Sequence, residues 1–231
     1  MRYTVEKSDK GEDGMIDGAI FDMDGTILES MGVWATVGED YLRRRGIAPC
    51  HGDADSLMYQ GMRGIASHFR SAYGITDEPQ TIIDDLNEMV KEDYATVVTP
   101  KEGAIGFLRT LRERGVRLCL ATATDRCIVE PTLMRLQMLE LFDGIVTCTE
   151  VGVGKHKPLV FDTARQLLGT TLDTTWVFED AAYAAVTAKT AGYHVCAVYD
   201  AYERRVEELR AHADVYLSGY HEASKLPFWR G

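Results

Sequence analysis

Asp22 and Asp24 stand one residue apart at the end of the apolar run Gly18-Ala-Ile-Phe21, just before the turn-forming pair Gly25-Thr26. Along an extended backbone alternate side chains share a face, so the two carboxylates are expected to point the same way and Met23 the other. Paired acids that stay ionised need a cation, and hard oxygen ligands suit Mg2+. Three further stretches end in groups of the same chemical kind. The apolar residues Leu118 to Ala121 run into Thr122, with Thr124 and Arg126 close behind. Gly152-Val-Gly154-Lys155-His-Lys157-Pro158 is a glycine-rich loop with two lysines, and Trp176-Val-Phe178 ends in the acids Glu179 and Asp180. An aspartate can attack phosphorus to give an aspartyl-phosphate, which divides one difficult transfer into two easier ones. A cation, a lysine and a hydroxyl would neutralise charge on the transferring oxygens.

Those groups can meet only if the stretches carrying them are neighbouring strands with their ends at one edge. The chain supports that. Strand-like runs are expected at Ala19–Phe21, Val116–Ala121, Ile145–Cys148, Thr175–Phe178, Val195–Tyr199 and Val215–Leu217. Helical patterns fall between them at Ala104–Arg114, Cys127–Gln137, Leu159–Leu168 and Ala181–Ala191, and Gly115, Gly169 and Gly192 act as stops. Alternating strands and helices imply βαβ units, hence an α/β fold with a Rossmann-like parallel sheet whose strand ends bind ligands. Residues 31–98 depart from this rhythm. Val33, Val37 and Tyr41, then Ile65 and Phe69, then Ile82, Leu86 and Met89 recur at helical spacing with no convincing strand. The expected organisation is therefore a flexible extension over 1–14, an α/β core from 15–30 and 99–231, and an inserted all-helical cap over 31–98. Its hinges fall at Leu28–Val33 and Val97–Gly103. Such a cap would exclude water and select substrates.

Composition narrows the function classes. The 231 residues are 45% hydrophobic and 26% charged, as in a globular protein. No apolar run approaches the roughly 18 residues of a membrane span, and Met1 to Asp17 has no leader-like apolar segment. A cytoplasmic protein with no membrane partner is expected. Five scattered cysteines form no CxxC pair, which argues against a disulfide framework or zinc site. A net charge of -11 disfavours nucleic acid, whose phosphates call for clustered Lys and Arg. A small phosphorylated metabolite remains compatible if a cation and a few basic groups share one cleft. The chain is expected to be a monomer or small homo-oligomer.

Taken in order, these motifs resemble the haloacid dehalogenase (HAD) superfamily, in particular its capped phosphatases and beta-phosphoglucomutase-like members. The likeness spans roughly Met15 to Leu217. Phe21-Asp22-Met23-Asp24-Gly25-Thr26 is similar to the family's first motif, which implies Asp22 as nucleophile and Asp24 as general acid/base. Thr122 matches the second motif and implies a phosphoryl-binding hydroxyl. Lys155, spaced from Pro158 and Phe161, matches the third motif, although His156 replaces its first proline and Lys157 competes for the role. Glu179-Asp180 is similar to the fourth motif. The resemblance implies that Mg2+ is held by Asp22, the backbone carbonyl of Asp24, Asp180 and Glu179, the last directly or through water. It also implies a phosphatase acting on a small phosphate monoester, with a sugar-phosphate mutase as the alternative.

Simpler roles exist for each residue. Asp22 or Asp24 alone could cap a turn, Thr122 and Thr124 could satisfy strand-end backbone, and Glu179 and Asp180 could be ordinary helix-start acids. In the insert, Arg63 within Gln60-Gly61-Met62-Arg63-Gly64 is a candidate for a distal anionic group of the substrate, and so is Arg126. His51 and His68 read as surface or packing residues. A dehalogenase would have no use for Asp24, and a phospho-accepting receiver domain would lack the helical insert. A non-catalytic binding protein is hard to reconcile with a complete set of polar groups.

Overall fold

The computed structural model describes residues 15–50 and 61–229. The extension expected over 1–14, with His51, Met58 and Gln60, lies outside them. In chain order the elements are β1 (Gly18–Phe21), β2 (Leu28–Glu29), α1 (Met31–Arg44), α2 (Gly61–Tyr73), α3 (Pro79–Thr96), β3 (Thr99–Pro100), α4 (Ala104–Glu113), β4 (Arg117–Thr122) and α5 (Arg126–Arg135). There follow β5 (Gly144–Thr147), the single-turn α6 (Cys148–Val151), α7 (Leu159–Leu168), β6 (Thr175–Glu179), α8 (Ala182–Thr190), β7 (His194–Val198), α9 (Val206–Ala211) and β8 (Val215–Leu217).

Six strands form one parallel sheet in the order β5-β4-β1-β6-β7-β8. β1 sits in the middle because Gly18–Phe21 offers apolar or small groups on both faces, and all four residues are buried. Side-chain alternation sorts the core into two layers. Ala19, Phe21, Leu118, Leu120 and Phe178 face Phe107, Leu108 and Leu111 of α4 and Ile128, Val129 and Leu133 of α5. Ile20, Cys119, Ala121, Val177 and Val195 face Val160, Phe161 and Ala164 of α7 and the alanines of α8. Pro131 lies inside α5, where an interior proline costs about 3 kcal/mol. The buried Ile128, Val129 and Leu133 each contribute about 1.5–3 kcal/mol on the same helix, so packing outweighs the break.

The register sets the active edge. Phe21 lies opposite Leu120 on one side and Phe178 on the other, so the chain emerges from β1, β4 and β6 at one carboxyl edge carrying Asp22, Thr122 and Glu179. On either side of β1 the chain departs in opposite directions across the sheet, the place where open α/β folds bind ligands.

Helices α1, α2 and α3 stand between β2 and β3 in sequence and share a core of Val37, Tyr41, Leu42, Ile65, Phe69, Ile82, Leu86 and Val90. The rings of Tyr41 and Phe69 stack at 5.3 Å. Both passages between these helices and the sheet run side by side: β2 and β3 pair antiparallel, Leu28 with Pro100 and Glu29 with Thr99. The ribbon lies within the two stretches expected as hinges, Leu28–Val33 and Val97–Gly103. Its pairing was invisible in sequence, because two-residue strands carry no periodicity. No helix among the described residues is long and apolar enough to cross a membrane.

Candidate active site

After Phe21 the chain folds into a tight turn rather than continuing as strand. Ile27 and Leu28 both donate their backbone N–H to the Met23 carbonyl, and Gly25 donates to Leu28. Gly25 has φ of 78°, and a Cβ placed there would stand 2.3 Å from Asp180 Oδ2. Only glycine fits both constraints. The Thr26 hydroxyl donates to Asp180 Oδ1 at 2.9 Å, which pins the end of β6 against the turn.

Asp22, Glu179 and Asp180 are buried, and each offers a carboxylate oxygen within 4.8 Å of the others. The Lys155 ammonium is buried among them and donates to Asp22 and, at 2.6 Å, to Glu179. Lys157, the other lysine of the loop, is exposed. Burial by itself would lower the Lys155 pKa, but the charges of Asp22 and Glu179 outweigh it and hold the ammonium well above its usual range. Burial pushes Glu179 up to about 7, with Asp22 adding to the rise and Lys155 opposing it. Asp180 is raised well above the usual carboxylate range by burial, then by Asp22, Glu179 and Asp200, with the Thr26 hydrogen bond working against them. One ammonium cannot balance three buried carboxylates. A divalent cation in an all-oxygen setting would, and the donor set fits one.

That imbalance has a measurable consequence. Between its ordinary pKa of 4.5 and about 7, Glu179 holds its proton in the folded protein and not in the unfolded chain. Its contribution to stability is therefore greatest below pH 4.5 and fades as pH rises through 7. A cation that binds ionised carboxylates should stabilise the fold most at the alkaline end. Mg2+ at about 100 times its Kd should raise Tm by about 5–10 °C at pH 8 and clearly less at pH 5, by calorimetry. An equal gain at both pH values would contradict the assignment of these acids to a cation.

Asp24 has different company. Its carboxylate accepts the Ser30 hydroxyl at 2.7 Å, the Thr124 hydroxyl at 2.6 Å and the hydroxyl of Tyr94, which comes from α3. Tyr94 in turn accepts the Trp34 indole N–H at 2.8 Å. The residue register with β4 and β6 ends at Phe21, Asp22 still donates its N–H to the Phe178 carbonyl at 3.0 Å, and beyond it the two carboxylates take separate partners. Burial and then the charge of Asp22 raise the Asp24 pKa, while the Thr124, Tyr94 and Ser30 hydrogen bonds oppose the rise.

Thr122 is fully buried at the end of β4, and its Oγ1 accepts the Thr124 backbone N–H at 3.0 Å. That bond leaves its own O–H to donate. The two candidate arginines are not drawn into the cluster. Arg126 directs its guanidinium to Glu130 at 2.9 Å, to both oxygens of Glu150 and to the Ile145 carbonyl at 2.8 Å, and these carboxylates raise its pKa further. Arg63 is exposed on α2. Sequence reasoning missed Ser30 and Tyr94, and it weighed for Thr124 a role in satisfying strand-end backbone without pairing it to Asp24.

Comparison with known proteins agrees with this geometry. Residues 16–192 match the model of the haloacid dehalogenase-like hydrolases. The chain is 29% identical over 211 residues to validoxylamine A 7'-phosphate phosphatase of Streptomyces hygroscopicus subsp. limoneus, covering 86% of this chain and 92% of that protein. It is 27% identical over 185 residues to hexitol phosphatase A of Escherichia coli (strain K12), covering 78% and 82%. Its fold also matches the crystal structure of beta-phosphoglucomutase from Clostridium difficile at a TM-score of 0.73 and 17% identity, over 92% of this chain and 97% of the other. The chain belongs to the haloacid dehalogenase-like hydrolases.

Proposed function

We propose that the protein is a Mg2+-dependent phosphatase that hydrolyses a small phosphate monoester, such as a sugar or polyol phosphate, through an aspartyl-phosphate on Asp22. The observation that carries this reading is the division of labour between two nearby aspartates. Asp22 lies against Lys155 in the carboxylate cluster, whereas the Asp24 carboxyl is held apart by three hydroxyls. A simple cation site would have no need for the second arrangement. The names of the two curated relatives, one a phosphatase for validoxylamine A 7'-phosphate and the other a hexitol phosphatase, support the substrate class.

Asp22, Glu179, Asp180 and the Asp24 carbonyl would hold Mg2+, which when bound supplies positive charge beside the transferring phosphoryl group. An Asp22 oxygen attacks phosphorus as the ester P–O bond breaks. Lys155 and the Thr122 hydroxyl neutralise the phosphoryl oxygens from positions fixed before substrate arrives. Asp24 gives a proton to the leaving alkoxide, then takes one from the water whose oxygen attacks phosphorus, releasing phosphate and restoring Asp22. Its raised pKa favours the proton-carrying form that the first step requires. To reach the substrate, Asp24 must exchange the Tyr94 hydroxyl for the leaving oxygen. Because Tyr94 belongs to α3, movement of the helical insert as a cap would couple closure to that exchange.

A panel of phosphorylated metabolites assayed for phosphate release tests the reading. Release that requires Mg2+ and stops with EDTA is the expected result. Isomerisation of a sugar phosphate that depends on a bisphosphate, with no free phosphate, would replace it with a phosphomutase.

A further inference from the structure

Lys101 is a buried lysine that the chemistry above does not use. It follows β3 directly and is fastened at both ends. Its backbone N–H donates to the Ile27 carbonyl at 2.9 Å, inside the turn that carries Asp24. Its ammonium donates to Asp200 Oδ2 at 2.9 Å and to the Tyr199 carbonyl at 3.0 Å, with Glu29 Oε1 of β2 at 3.8 Å. Asp200 is 4% exposed, and its other oxygen accepts the Tyr202 backbone N–H at 2.9 Å. The loop after β7 reaches further. The Glu203 carboxylate accepts the Ala182 N–H at 2.8 Å at the start of α8, two residues beyond Asp180. Tyr202 faces Gly32 in the first turn of α1, where an added Cβ would stand 3.3 Å from its hydroxyl oxygen.

A surface ion pair at such a place would contribute little. This one is buried, joins groups far apart in sequence, and would leave an uncompensated charge if either partner were removed. It also ties together three parts that must keep register: the ribbon leading to the helical insert, the turn bearing Asp24, and the strand end beside Asp180.

From this geometry we infer that Lys101, clamped to Asp200, is a positioning residue that sets the Asp24 turn and its ribbon for proton transfer to the leaving group. It touches no reacting atom and acts through Asp24. The inference rests on the phosphatase reading. It makes a selective demand: losing the clamp should harm esters whose leaving group needs a proton and spare those whose leaving group departs as a stable anion.

The test uses the full chain with saturating Mg2+ and two probes, phenyl phosphate and p-nitrophenyl phosphate. Mg2+-dependent hydrolysis of both by the unaltered protein is the first readout, and its absence would overturn the phosphatase reading and this inference with it. Given that activity, Lys101→Met should lower kcat/KM for phenyl phosphate by roughly 10- to 100-fold. For p-nitrophenyl phosphate the loss should stay within about 2-fold, since no proton is needed there. Asp200→Asn, which keeps the shape and removes the charge, should give the same selective loss, and serves where Lys101→Met fails to fold. The double variant should be no worse than either single one, as expected for two halves of one interaction. Equal losses on both probes would reduce the pair to a structural tie, and unchanged activity on both would also overturn the inference.

Discussion

Asp22→Asn is expected to lower phosphate release by roughly 10⁴-fold or more while leaving the fold intact. The substitution keeps the shape and one oxygen but removes the charge that attacks phosphorus. It also removes one of three carboxylates from the cluster, leaving Glu179 on Lys155 and Asp180 beside it in the acidic group. The folded state should tolerate this well, because repulsion from Asp22 is one of the causes raising both remaining acids. Steady-state kinetics paired with a thermal melt separates the two effects. The expected pattern is activity lost and Tm unchanged or higher in metal-free buffer. Near-normal turnover with Mg2+ would remove Asp22 from the chemistry.

The second large effect is expected at Asp24→Asn. General acid/base groups contribute about 10²–10⁴-fold, and Asp24 is assigned to both halves of the reaction. The amide oxygen can still accept the Ser30 hydroxyl and the amide N–H can donate to the Thr124 oxygen, so the turn should survive. With an alkyl phosphate, both formation and hydrolysis of the phospho-enzyme should slow. With p-nitrophenyl phosphate only the second half needs the base, so a fast burst of p-nitrophenol followed by slow turnover is expected. Linear release without a burst, at an undiminished rate, would show that Asp24 carries no proton.

Much of the core was legible in sequence because its strands are buried on both sides and stand out as unbroken apolar runs. Gly18–Phe21 and Trp176–Phe178 are examples, each buried throughout. The three helices of the insert were readable for the opposite reason, since Val37 and Tyr41 or Ile82 and Leu86 repeat at helical spacing. Of the site, the acids and Lys155 could be picked out because each ends a strand or a glycine loop. What local pattern could not show was pairing over distance. Tyr94 lies 70 residues from Asp24, and Lys101 lies 99 from Asp200, and neither tyrosine nor lysine is unusual in its own helix or hinge. The turn after Phe21 was also beyond local pattern, because it is decided by Met23, Gly25 and Asp180 together. Arg126 shows a rule that was available but overlooked: Glu130 stands at i+4 on the same helix and claims its guanidinium.

The central claim is that Asp22 itself becomes phosphorylated. It is tested most directly by mixing the protein with Mg2+ and an excess of the best-hydrolysed ester, quenching in acid within the first turnover, and mapping modified peptides by mass spectrometry. The account predicts a phosphoryl group on the peptide containing Asp22, absent from Asp22→Asn, rising before phosphate release and persisting longer in Asp24→Asn. Turnover with no phosphorylated peptide at any quench time, or a phosphoryl group on a residue other than Asp22, would contradict it.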